Sequence, residues 1–280
     1  MIEYYQQPQF QPFALEHPDD SGNRAGAMLV HGFTGTPADM RPLAEALFER
    51  SADCHVPMHP GMAADIANMN TMTADIWREN MLERWAEHTR RYARTVLIGY
   101  SMGGAAAVQM AAQTAPDLLI LIAPFVRIND RRAIFLPLVK HMIKEFRLLG
   151  NLDFDNADVR LWFKAALPDL DLDDPETRRV VRDDTGIASP VIDELRKFGA
   201  MGRRDAPGVT APVVVIQGHQ DIVVNPRHTR DLLDHFPQLR AYHEVPGDHL
   251  ITLDSLPSWS TVRSLVLAEA DAVIGMPTRA

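Results

Sequence analysis

Thr95-Val96-Leu97-Ile98-Gly99-Tyr100-Ser101-Met102-Gly103-Gly104-Ala105-Ala106-Ala107-Val108 decides the fold. An apolar run, a G-x-S-x-G turn and a run of small helix formers follow one another, which reads as strand, sharp turn and helix. A serine at the apex of such a turn is forced into a strained backbone conformation, with its hydroxyl presented at the C-terminal edge of the sheet. Glycines two positions to either side remove the Cβ atoms that would collide as strand and helix converge. The bare string also arises by chance, as an ordinary turn with a solvated serine; here the flanks are those the geometry needs.

The same alternation extends outward in both directions. Pro12-Phe13-Ala14-Leu15 reads as an edge strand and Ala27-Met28-Leu29-Val30 as a buried one, followed by His31-Gly32-Phe33-Thr34-Gly35-Thr36-Pro37. Residues 40–50 carry apolar positions at helical spacing with Pro42 in the first turn. Cys54-His55-Val56-Pro57 reads as the next strand and His59-Pro60-Gly61-Met62 as a loop. Residues 73–91 read as a helix with Ile76, Trp77, Met81, Leu82 and Trp85 on one face. Leu118-Leu119-Ile120-Leu121-Ile122 and Val213-Val214-Val215-Ile216-Gln217 are further buried strands, and Ala241-Tyr242-His243-Glu244-Val245 a half-buried one. Residues 227–236 and 260–274 read as helices. Wholly apolar strands alternating with helices imply a mostly parallel sheet covered on both faces. The rhythm breaks at residues 125–208, which read as a mostly helical insertion including a helix over 187–198. The expected division is a core of 1–124 and 209–280 with a cap of 125–208.

In a parallel sheet, chemistry collects beyond the carboxyl ends of the strands. Ser101 follows one strand, Gly218-His219-Gln220-Asp221 a second, and Pro246-Gly247-Asp248-His249 a third. Serine, aspartate and histidine thus arrive at three strand ends in the chain order of the α/β-hydrolase triad. A serine hydroxyl needs a base during attack. Histidine can take that proton and return it to the leaving group. A carboxylate on the other ring nitrogen fixes the tautomer and stabilises the imidazolium. His219 and His243 compete with His249 on type alone, and Asp248 with Asp221. His219 adjoins the acid, His243 lies within a strand, and chain neighbours such as Asp248 and His249 lack the geometry for a triad bond, so Ser101, Asp221 and His249 are preferred.

Negative charge on the reacting carbonyl oxygen calls for two backbone donors. Met102 N–H, at a helix N-terminus, is one expected donor. Phe33 N–H is the other, in a loop that Gly32 and Gly35 let fold inward. No metal site is expected: His55 and His59 are interrupted by Pro57, and no carboxylate or cysteine set completes one. Gly99–Gly104 matches no dinucleotide fingerprint, and no phosphate loop is present.

The 280 residues suffice for one large α/β domain with an insertion. A net charge of -9 argues against a nucleic-acid surface and against anionic lipid. One cysteine, Cys54, cannot pair internally. The first residues carry no basic and apolar leader, and no window reaches the ~20 apolar residues of a membrane span. A cytoplasmic protein with no membrane span is expected; nothing in the sequence speaks to oligomeric state.

Four segments carry a family resemblance: His31-Gly32-Phe33-Thr34-Gly35-Thr36-Pro37, Gly99-Tyr100-Ser101-Met102-Gly103-Gly104, Gly218-His219-Gln220-Asp221 and His249-Leu250-Ile251-Thr252-Leu253-Asp254. In these the chain resembles bacterial α/β-hydrolase carboxylesterases related to monoacylglycerol lipases. The resemblance implies an α/β-hydrolase fold with an inserted helical cap. It makes Ser101 nucleophile, His249 base, Asp221 acid, and Phe33 and Met102 oxyanion donors, with no cofactor. The implied substrate is a small apolar ester, a short- to medium-chain acyl ester or a monoacylglycerol. Phe125, Phe135, Leu136, Trp162 and Phe163 are the apolar residues expected to meet it, or else to pack within the cap or against the core. The chain departs from the family at His59-Pro60-Gly61-Met62-Ala63, where relatives carry a Pro-Gly-His-Gly-type stretch. That loop borders the family's pocket, which puts substrate preference in question. The same triad serves thioester, amide or carbon–carbon bond cleavage, and the fold also hosts binding proteins without catalysis.

Overall fold

A computed structural model of the chain describes residues 5–18, 24–128, 145–147, 153–156, 159–160, 163–164, 170–183 and 186–275. Among these residues seven strands form one sheet, in the spatial order β1 (Phe13–Leu15), β3 (Asp53–Val56), β2 (Ala25–Val30), β4 (Arg94–Tyr100), β5 (Leu118–Ile122), β8 (Val213–Gly218) and β9 (Leu239–Val245). β1 runs antiparallel on β3 at one edge, and every other pairing is parallel. Every residue of β2, β4, β5 and β8 is buried. That is why these strands read as continuous apolar runs rather than alternating ones.

Alternate side chains of these strands feed two cores. Met28, Val30, Leu97, Leu119, Leu121, Val213 and Val215 pack with Trp77, Met81, Met102 and Phe198 on one face. Ala27, Leu29, Val96, Ile98, Ile120, Val214 and Ile216 pack with Leu43, Leu47, Val262 and Val266 on the other. The helices supplying the second face are α1 (Arg41–Phe48) and α7 (Trp259–Ile274); those of the first include α2 (Ala74–Arg91) and α3 (Met102–Gln113). α2 starts where Thr73 Oγ1 accepts the Ile76 N–H and Glu194 accepts the Ala74 N–H. Its buried stripe is Ala74, Trp77, Met81, Trp85 and His88. Ile76, expected on that stripe, is instead exposed. The stripe steps by three or four residues from Trp77, and Ile76 stands about 100° off it.

Among the described residues of 125–208, the structure departs from the helical reading at a short strand. Gly186–Ala188 is a strand, β7, paired antiparallel with β6 (Glu145–Arg147). The helix expected over 187–198 is α5 (Ser189–Asp205), which follows α4 (Pro175–Asp183) and begins with Pro190 in its first turn. α5 lies against α3: a Cβ on Gly202 would stand 3.0 Å from Ala105 O. Val191, Leu195 and Phe198 on α5 belong to the sheet-face core. Arg78 ties the layers by donating to Gln109 Oε1 at 2.8 Å and to Asp205 Oδ2 at 2.5 Å. Phe154, Phe163, Leu172 and Val181 form a separate small cluster. Helix α6 (Pro226–Leu233) is capped by Asn225, whose side chain accepts the Arg227 N–H. No helix of the described residues is long and apolar enough to cross a membrane.

Candidate active site

Ser101 joins the central strand β4 to α3 with φ 55° and ψ -119°, a conformation costing about 1–3 kcal/mol for a residue with a Cβ. Its backbone is fully engaged. The N–H donates to Ile122 O at 3.0 Å, and the carbonyl accepts from Gly104 N and Phe125 N, both at 2.9 Å. A Cβ on Gly99 would stand 2.7 Å from Ala107 Cβ, one on Gly103 2.5 Å from His31 O, and one on Gly104 2.9 Å from Pro124 Cα. The glycines flanking the serine are therefore where strand, helix and two loops meet with no room between them.

His249 Nε2 lies 3.0 Å from Ser101 Oγ, and His249 Nδ1 lies 2.7 Å from Asp221 Oδ2. A carboxylate only accepts, so Nδ1 carries the proton and Nε2 is left as the acceptor for the serine hydroxyl. Asp221 is 4% exposed and satisfied on both oxygens. Oδ1 accepts the N–H groups of Val223 at 2.9 Å and Val224 at 2.8 Å. Oδ2 also accepts Gln217 Nε2 at 3.0 Å. Thr229 Oγ1 donates to Gln217 Oε1 at 2.6 Å, which fixes the amide with its NH2 toward Asp221. Gln217 and Thr229 were not singled out from the sequence. The one available signal was a glutamine ending an otherwise apolar strand.

The rival residues are placed elsewhere. Asp248 Oδ1 accepts the Leu250 N–H at 2.8 Å. His219 is exposed, with Nδ1 3.0 Å from Val245 O. His243 sits in the edge strand β9, opposite Ile216.

The loop after β2 passes directly over the serine: a Cβ on Gly32 would stand 3.0 Å from Ser101 Cβ. Gly35 N–H donates to Gly32 O at 3.2 Å, closing the turn, and Thr34 takes φ 59°. Among the described residues the Phe33 and Met102 N–H groups have no acceptor. His31, fully buried, holds this loop from behind. Its Nδ1–H donates to Gly32 O at 2.9 Å and its Nε2 accepts the His59 N–H at 3.2 Å. Burial pushes the His31 pKa down to about 4, which keeps the ring in the neutral form both bonds require. In the loop that departs from the family, Met62 is fully buried, and Trp77 Nε1 donates to Pro60 O at 3.0 Å.

Of the apolar residues expected at the substrate, Phe125 is 7% exposed and packs in the sheet-face core against Gly199. Phe163 is 1% exposed inside the small cluster with Phe154. Phe135, Leu136 and Trp162 lie outside the described residues. Among the described residues no group of His, Cys, Asp or Glu is placed to hold a metal ion.

The buried histidines set an acid limit on stability. Burial lowers His31 and His88 to about 4 and His59 well below 6.5. The unfolded chain takes up protons below pH 6.5 that the folded chain refuses. Their contribution is complete above pH 6.5 and is lost as pH falls toward 4, at up to about 1.4 kcal/mol per pH unit for each group. Asp39 opposes them: burial raises its carboxyl to about 6, so the folded state gains as pH falls through that value. Three histidines outweigh one carboxyl. Urea unfolding should show a net loss of stability as pH falls from 6.5 to 5, and a flat profile across that window would contradict the neutral assignment.

The family described as serine aminopeptidase, S33, matches residues 22–248. A thermostable monoacylglycerol lipase of Bacillus sp. (strain H-257) is 27% identical over 202 residues, covering 72% of each chain. A carboxylesterase of Bacillus subtilis (strain 168) is 30% identical over 84 residues, covering 30% of this chain and 34% of that one. Among solved structures, one from a study of the metagenome-derived lipolytic enzymes LipS and LipT aligns with TM-score 0.73 and 22% identity, over 94% of this chain and 97% of that one. The monoacylglycerol lipase of Paleococcus ferrophilus aligns with TM-score 0.65 and 16% identity, over 93% and 98%. These structural likenesses speak for the α/β-hydrolase fold. Since the family match spans most of the chain, including the strand–turn–helix at Ser101 and the strand that leads to Asp221, the chain belongs to the S33 serine aminopeptidase family of α/β-hydrolases.

Proposed function

We propose that the chain is a serine hydrolase of apolar carboxylic esters, short- to medium-chain acyl esters or monoacylglycerols, acting through an acyl-Ser101 intermediate. The observation that carries this reading is the hydrogen-bonded line Asp221–His249–Ser101, ending in a serine at φ 55°. Ser101 Oγ attacks the ester carbonyl carbon as its proton passes to His249 Nε2. The carbonyl oxygen, now negative, accepts the Phe33 and Met102 N–H groups. The carbon–oxygen bond to the alcohol breaks as His249 returns the proton to the leaving oxygen. Water, deprotonated by His249, then attacks the acyl carbon and frees Ser101 and a carboxylic acid. Asp221 stays ionised throughout and stabilises the imidazolium.

The relatives named as lipase and carboxylesterase favour an ester over an amide. The apolar residues between 125 and 208, proposed as a cap over a core of 1–124 and 209–280, favour an apolar acyl group. A fluorophosphonate tests the nucleophile: peptide mapping should locate a single adduct on Ser101. A panel of p-nitrophenyl esters of rising chain length, acyl thioesters and aminoacyl p-nitroanilides tests the bond. Ester turnover at least tenfold above the other classes is expected; faster anilide turnover would make the chain a peptidase instead.

A further inference from the structure

Tyr100 closes β4 and immediately precedes Ser101. It is 5% exposed, and its aromatic body belongs to the core shared with α1 and α7. Its tip has a different environment. The phenol O–H donates to the main-chain carbonyl of His249 at 2.9 Å. The Tyr100 and His249 rings lie 5.2 Å apart, inclined by 32°. On the other flank, a Cβ on Gly32 would stand 3.6 Å from Tyr100 Cε1. One side chain therefore abuts the nucleophile, the loop of the base and the loop of Phe33. Burial, with the charges of Asp39, Asp221 and Asp248 around it, holds the phenol well above its ordinary range, so it remains a donor.

His249 needs such an anchor. It follows Pro246-Gly247-Asp248 beyond the end of β9, outside any helix or strand. Gln220 N–H donates to Gly247 O at 3.0 Å on the side of the acid. Tyr100 holds the loop on the side of the nucleophile. Tyr100 and Ser101 are consecutive residues of one chain, so the bond to the His249 carbonyl ties the base directly to the backbone that carries Oγ.

The geometry points to Tyr100 as a positioning residue for His249: its hydroxyl sets the reach from His249 Nε2 to Ser101 Oγ. This rests on the catalytic reading proposed above. A displacement of the base by about 1 Å is enough to slow chemistry up to about a hundredfold.

The test is Tyr100→Phe, which keeps the ring and removes the bond. On p-nitrophenyl butyrate, kcat should fall about tenfold with KM held within about twofold, because the loss is felt in the transition state rather than in substrate binding. Phosphonylation of Ser101 should slow by the same factor. Incorporating 4-aminophenylalanine at position 100, which restores an N–H donor, should recover most of the loss. Wild-type kcat in Tyr100→Phe, a change carried by KM alone, or no recovery with the amino analogue would each overturn the inference. A readout independent of turnover is the downfield proton resonance of His249 Nδ1–H in its bond to Asp221. It should be sharp in the parent protein and broadened by solvent exchange in Tyr100→Phe; an unchanged resonance overturns the inference as well. A parent protein that neither hydrolyses esters nor labels at Ser101 overturns the proposed function instead, while the resonance still reports on Tyr100.

Discussion

Replacing Ser101 with alanine should lower kcat for ester hydrolysis by about 10⁴–10⁶-fold and abolish labelling by a fluorophosphonate. Alanine keeps a Cβ at φ 55°, so the strain of the elbow remains and the backbone bonds to Ile122, Gly104 and Phe125 are untouched. Thermal unfolding of Ser101→Ala should therefore match the parent closely, which separates loss of chemistry from loss of fold. The residual rate measures what the Phe33 and Met102 N–H groups and simple binding contribute by themselves. A variant with the parent's turnover would move the nucleophile elsewhere in the chain.

The second large effect is expected at the acid. Asp221→Asn should lower kcat by about 10⁴-fold with little change in KM. The reason lies in the four hydrogen bonds that converge on the carboxylate. The Val223 and Val224 N–H groups require an acceptor where Oδ1 stands, so the amide oxygen takes that place. The amide NH2 then occupies the position of Oδ2, facing His249 Nδ1 and the Gln217 NH2. It donates to Nδ1, which forces the imidazole proton onto Nε2 and leaves no acceptor for the Ser101 hydroxyl. Gln217 cannot turn its oxygen toward the newcomer without losing the bond from Thr229. Steady-state kinetics across pH, with circular dichroism to verify the fold, checks this. A loss below tenfold would mean that Asp221 does not set the tautomer.

Much of this arrangement was legible in the sequence because Ser101 and Asp221 come just after wholly buried apolar strands and His249 just after a half-buried one. Val96–Ile98, Val213–Ile216 and the strand ending at Val245 announce themselves by composition, and a parallel sheet places their ends together. What stayed hidden depends on partners far away in the chain. Gln217 is readable only as a polar residue at a strand end; its task is set by Thr229 and by the turn after Asp221. His31 looks like punctuation after a strand until His59, 28 positions on, offers its N–H. Ile76 reads as part of the buried stripe because it adjoins Trp77, but the stripe runs through Ala74, Trp77, Met81, Trp85 and His88 and leaves Ile76 a step of about 100° to the side. The three residues of Gly186–Ala188 are too few to show a period, and their pairing with Glu145–Arg147 crosses some forty positions.

The glycine crossing around the elbow also shapes how this chain can drift under mutation. At Gly99, Gly103 and Gly104 an added methyl group has nowhere to go, so substitutions there should deplete the folded protein itself. At Ser101 the reverse holds. Glycine relieves the strained φ, and the inactive protein should accumulate at least as well as the active one. A library scored for abundance alone would see three intolerant positions around a permissive centre; scored for turnover, it would see an unbroken block. The difference between those two maps, confined to one residue in six, marks where selection for chemistry parts from selection for folding.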